Sequence, residues 1–198
     1  MVIPTRFRTA SQPIASYDYE DIASGLGLEK FWLCNDDSLD ATSYGLIDYQ
    51  IYSGVIEAIQ VETADKTCNF YTPEFNHPKT VRGTGFLILG YDRNVSDTST
   101  IKVTLAKDNG TIICAEQTKS FSSGASVGVL TFKFECTETL IKQGEKLKLT
   151  IAIDEASGTG TWVAIGHDPI NRDGTKCAPT SDDSITASYV LIPFKLDL

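Results

Sequence analysis

The feature that most constrains this fold is a ladder of alternating segments from about Phe86 to Gly166. Its clearest rung is Lys146-Leu-Lys-Leu-Thr-Ile-Ala-Ile-Asp154. Successive side chains of a strand point to opposite faces, so Leu147, Leu149, Ile151 and Ile153 face a core while Lys146, Lys148 and Thr150 face water. Ile101, Val103 and Leu105 alternate in the same way with Lys102 and Thr104, and Val129 to Cys136 alternates with Thr131, Lys133 and Glu135 outward. Phe86-Leu-Ile-Leu89 is continuously apolar, as a strand covered on both faces is.

Turn chemistry divides the ladder. Asp108-Asn-Gly110, Gln143-Gly-Glu145 and Ser157-Gly-Thr-Gly160 each read as a reversal, and Ser122 to Ser126 reads as a flexible connection. Upstream, Phe31 to Cys34 and Thr67 to Tyr71 are short strands. Leu46 to Tyr52 and Val55 to Glu62 flank Ser53-Gly54 as a hairpin. Tyr17 to Gly27 has room for one helical turn, and His77-Pro78 lies in a loop. Ile185 to Leu198 reads as the last strand, and Pro193 within it marks an edge or a bulge.

The expected architecture is therefore all-β: a single-domain antiparallel β-sandwich, jelly-roll-like, of roughly ten strands. Residues 1–16, with Pro4, Pro13, Arg6 and Arg8 and no sustained period, read as an extended N-terminal arm, and residues 17–198 as the sandwich domain. A chain of 198 residues is long enough to bury a full core.

The net charge of -9 argues against nucleic acid as a partner, because phosphate binding needs a basic face. No stretch approaches the roughly 18 apolar residues of a membrane helix, and the N-terminus lacks the apolar core of a secretory signal. The five cysteines fit no metal knuckle. Cys136 continues the phase of Leu130, Phe132 and Phe134, and Cys114 follows Ile112. Both read as free, buried, small hydrophobes, a pattern that fits a reducing compartment, while a disulfide of Cys34, Cys68 or Cys177 stays open.

Catalytic signals are weak. The two histidines are His77, in a loop, and His167, in Gly-His-Asp-Pro; no nucleophile elbow accompanies either, and Asp168-Pro169 reads as a turn. Asn35 to Asp40 and Asn171 to Thr175 offer clustered oxygens but not the spacing of a calcium loop. The expectation is no enzyme, no metal and no cofactor. Among the aromatics concentrated in the first third, Trp32 and Tyr44 are the candidates for an exposed contact.

Two segments carry a resemblance. Tyr17-Asp-Tyr-Glu-Asp-Ile-Ala-Ser-Gly-Leu-Gly followed by Phe31-Trp-Leu resembles the opening of small β-sandwich proteins of phages and other large DNA viruses. Gly144-Glu-Lys-Leu-Lys-Leu-Thr-Ile followed by Ile165-Gly-His-Asp-Pro is similar to the late strands of viral jelly-roll structural proteins of the minor capsid, decoration and penton type. The resemblance implies a virion component, assembled in the host cytoplasm, that binds capsid subunits or copies of itself through a lacing arm containing Arg6 and Arg8. The other reading of the same architecture is a carbohydrate-binding module or lectin, which needs exposed aromatics beside polar groups.

Overall fold

The computed structural model describes residues 14–16, 26–34, 44–48, 57–61, 66–95, 98–155, 162–167 and 188–195. They form twelve strands: β1 (Ile14–Ser16), β2 (Leu26–Cys34), β3 (Tyr44–Ile47), β4 (Glu57–Val61), β5 (Lys66–Tyr71), β6 (Lys79–Val95), β7 (Ser99–Lys107), β8 (Ile112–Phe121), β9 (Gly124–Ile141), β10 (Leu147–Glu155), β11 (Trp162–His167) and β12 (Tyr189–Lys195). No helix occurs among the described residues, so the all-β, sandwich-like expectation holds.

The strands make one curled sheet in the order β4-β11-β6-β12-β2-β3-β5-β10-β7-β8, with β1 on β2 and β9 on β6. β9 follows β6 from Lys79↔Ile141 to Val95↔Gly124 and so fills one edge of it. The other edge is shared: β12 takes the first half (Leu87↔Val190) and β11 the second (Val163↔Arg93). All pairings are antiparallel except β3–β5, where Tyr44 lies beside Phe70 in parallel. This parallel joint carries the sheet from a front layer of β9, β6, β12 and β2 into a back layer of β5, β10, β7 and β8.

The core fills the space between the layers. Phe31, Leu33, Leu87, Leu89, Phe132, Phe134, Val190 and Ile192 come from the front, and Phe70, Val103, Leu105, Leu149 and Ile151 from the back, all buried. The expected phase of β10 holds: Leu147, Leu149, Ile151 and Ile153 are each 0% exposed. The Asp108–Gly110 turn also holds. Lys107 N–H donates to Thr111 O at 2.8 Å, Asn109 Oδ1 accepts from Thr111 N–H, and Gly110 has φ 91°.

Four expectations are corrected. The described parts of the two hairpin arms do not pair with each other, because β3 pairs with β2 and β5 while β4 pairs with β11; Ser53-Gly54 itself lies outside the described residues. Gly124 to Ser126 is strand rather than loose connection, since Gly124 (φ 124°) turns the chain directly from β8 into β9. Ile112 is 62% exposed; register shifts between β7 and β8 bring Ile113 and Cys114 inward instead. Finally, Cys114 and Cys136 are not free but form a disulfide, with Cα atoms 4.7 Å apart. It ties β8 to β9, the two strands at which the curled sheet would otherwise stand open, and it withdraws the ground for expecting a reducing compartment. Cys34 and Cys68 are buried, and Cys177 lies outside the described residues.

Pro193 sits inside a central strand, opposite Leu28 of β2, and the register of β12 on β6 shifts between Leu191 and Phe194. The bulge reading holds and the edge reading does not. Gly85 makes this passage possible: a Cβ there would lie 2.7 Å from the Leu191 carbonyl oxygen and 3.0 Å from Pro193 Cδ.

Candidate functional site

On β2, Phe31 and Leu33 point into the core, so Lys30 and Trp32 point out through the front sheet. The register extends this outward phase across the layer in two adjacent rows. One runs Ile47, Trp32, Tyr189, Ile88, Thr131. The next runs Lys30, Leu191, Phe86, Lys133. Ile47 is buried, Trp32, Tyr189, Leu191, Phe86 and Ile88 are half-buried, and Thr131 and Lys133 are exposed. Val129 and Val127, 55% and 41% exposed, continue the apolar surface along β9.

The centre of this face is an aromatic corner. The Trp32 and Tyr189 rings meet edge to face, with centroids 5.2 Å apart and planes at 66°. The Lys30 ammonium lies 3.9 Å from each ring centroid, where the negative π faces attract it. Burial holds the Lys30 amine below the ordinary lysine pKa. Lys30 forms no ion pair among the described residues, so its N–H donors stay available at the edge of the aromatic pair. On the far side of the face, Lys133 pairs with Glu135 at 2.9 Å, and Glu135 Oε2 accepts from Thr84 Oγ1. Both contacts hold the Glu135 carboxyl below the usual carboxylate pKa, the Lys133 contact most of all.

The arrangement is an apolar strip with a lysine at each of its two sides, Lys30 and Lys133. Burial pushes the Cys68 thiol up to about 11, so it stays protonated at neutral pH. The Cys34 thiol donates to the Gly45 carbonyl at 3.4 Å. Among the described residues no three His, Cys, Asp or Glu side chains gather as a metal site. His77 is exposed in its loop.

Of the residues singled out in the sequence, Trp32 lies in the aromatic corner and Tyr44 does not. Tyr44 shares the inward phase of Leu46 and packs 5.0 Å from Phe70 against the core, on the opposite side of the sheet from Trp32. Arg6 and Arg8 lie outside the described residues, as do Asp168 and the acidic loops at 35–40 and 171–175; of the arm, Ile14–Ser16 pairs with β2. Tyr189 was missed. It stands 157 positions from Trp32 in a stretch with no special pattern, and only register reveals that the two are cross-strand partners.

No family model matches the chain, and no curated protein matches it in sequence. Solved structures do share its fold. A CocE/NonD family hydrolase from Staphylococcus aureus superposes with TM-score 0.59 at 12% identity, over 86% of this chain and 37% of the hydrolase. An aminopeptidase from a marine sediment archaeon, Thaumarchaeota archaeon, does so with TM-score 0.51 at 6% identity, over 87% of this chain and 37% of that one. A carbohydrate-binding module in complex with β-1,4-galactotriose aligns at TM-score 0.33 and 8% identity, over 73% of this chain and 79% of the module, too loosely to bear on function. The chain thus spans little more than a third of these two enzymes, and at these identities the likeness concerns fold alone. It nonetheless corrects one expectation. A chain whose fold recurs inside a hydrolase and an aminopeptidase is not set apart from enzymes by its architecture.

Proposed function

We propose that this chain is a carbohydrate-binding β-sandwich that holds its ligand on the outward face of β2, β12, β6 and β9. The observation that carries this reading is the Trp32–Tyr189 corner with Lys30 3.9 Å from both rings. A sugar ring has apolar C–H faces that stack on aromatics and a rim of hydroxyls that need donors and acceptors. Trp32 and Tyr189 supply the first. Lys30 supplies a donor next to them, and Thr131 and Lys133 supply polar groups across the strip.

The test is binding to a panel of oligosaccharides, followed by calorimetry on the best ligand. Trp32→Ala should weaken binding by about tenfold or more, as loss of a central aromatic anchor does. Lys30→Ala should weaken it less, and neither change should unfold the protein. Wild-type protein that binds no glycan, or Trp32→Ala that binds as well as wild type, overturns the proposal. The virion reading rests on the sequence resemblance. Its test is association of the chain with capsid subunits, lost on removal of residues 1–16 with Arg6 and Arg8.

A further inference from the structure

A second polar constellation lies inside the sandwich, at the end where β6 and β9 meet β7 and β8. Arg93 follows Leu87, Leu89 and Tyr91 on the inward phase of β6, beside Val163 of β11, and is only 5% exposed. Its guanidinium stacks 4.8 Å from the Phe121 ring. Nε donates to Ser126 Oγ at 2.8 Å and Nη2 to the Ser122 carbonyl at 2.7 Å. Nη1 has no hydrogen-bond partner, and Arg93 forms no ion pair among the described residues. Ser99, the register partner of Phe121, is 2% exposed, and among the described residues its Oγ is also without a hydrogen-bond partner. Tyr91 packs on Phe121 at 5.2 Å and completes an aromatic wall.

An arginine cannot discharge itself by losing its proton. A buried guanidinium without an anion is costly, because it gives up hydration and gains no charge partner in return. Among the described residues no anion pairs with this one. The fold fixes one edge of the guanidinium on β9 and its turn and leaves Nη1 unspent, with a free hydroxyl on the strand that pairs with Phe121. Ser122, Ser123, Gly124 and Ala125, which turn the chain over the guanidinium, are all exposed, so solvent lies one layer away. We infer that Arg93 and Ser99 form a receptor for a carboxylate, with Nη1 and the Ser99 hydroxyl donating to its oxygens. The carboxylate is either a free small acid or the uronate group of an acidic sugar. The site is separate from the Trp32–Tyr189 face, which lies on the other side of the sheet, so either can fail without the other.

The probes are sodium acetate, sodium glucuronate and, as the neutral control, glucose, each titrated at ionic strength matched with sodium chloride. Thermal unfolding and calorimetry on the intact chain should show saturable stabilisation by one or both carboxylates and none by glucose. A response to glucuronate alone identifies the sugar acid, and an equal response to acetate identifies the free carboxylate. Ser99→Ala keeps the guanidinium in place and should weaken binding by about fivefold to tenfold, the effect of one hydrogen bond to a charged group. Arg93→Lys keeps the charge but loses the fork and should weaken it by about tenfold or more. Trp32→Ala should leave it unchanged. No saturable response to either carboxylate in the wild type, or an undiminished one in both Ser99→Ala and Arg93→Lys, overturns the inference.

Discussion

Leu149 and Lys148 are neighbours on β10 with opposite surroundings: the leucine is fully enclosed between the layers and the lysine projects outward. Leu149→Ala should cost about 3 kcal/mol of stability, through lost transfer energy and the cavity it leaves. Lys148→Ala should cost less than about 0.5 kcal/mol. Urea unfolding of the two variants checks both figures. Charge at a single residue sets a pH dependence as well. Glu145 accepts from the buried Lys107 ammonium at 2.7 Å and from the Lys142 N–H at 2.8 Å, and these contacts hold its carboxyl below the ordinary glutamate pKa, Lys107 foremost. Its folded pKa thus lies below its unfolded one. The stability it adds is complete above the unfolded value and disappears as pH falls through the folded value. Glu145→Gln should flatten the acid-side decline of stability while leaving its neutral-to-alkaline slope alone, as unfolding measured across pH will show.

Among the elements, the long β6–β9 pair shows where a sequence stops speaking. Strict alternation made β10, β7 and the middle of β9 plain to read, because one face of each meets the core and the other meets water. β6 was legible only at Phe86–Leu89, yet it runs from Lys79 to Val95. Gly83, Gly85 and Gly90 interrupt its apolar pattern. Gly83 (φ 104°) sits at a bulge in the pairing with β9, and Gly85 is held by the close approach of Leu191 rather than by any pattern of its own. The disulfide was equally hidden. In one dimension Cys114 and Cys136 each look like an ordinary inward residue, and only the curl of the sheet brings β8 to β9. Replacing both by alanine should lower stability by about 3 kcal/mol, the chain-entropy effect of releasing a loop with a sequence separation of 22. Chemical denaturation of oxidised wild type and the double variant measures it.

At the scale of the whole molecule, the alternation established the layers and the core but not the contact surface, for a physical reason. A strand's period tells inward from outward, whereas a binding face is made of outward residues from several strands placed side by side. Trp32 was recognisable as a candidate by residue type. Its partners Tyr189, Ile88 and Thr131 come from three other strands and acquire meaning only through register. Arg93 gave still less sign of itself, since a charged residue near a strand's end ordinarily reads as solvated, and this one turns inward. The seam between β8 and β9 bears on how copies of the chain behave towards one another. Among the described residues each of these strands has ladder partners along one flank only, β7 for β8 and β6 for β9. Their remaining flanks are rows of amide groups able to template a foreign strand. Bolted together by Cys114 and Cys136, the two flanks shield each other. Once that bolt is cut, only the short turn through Ser122 and Ser123 still joins the two strands, and copies of the chain gain edges along which they can pair.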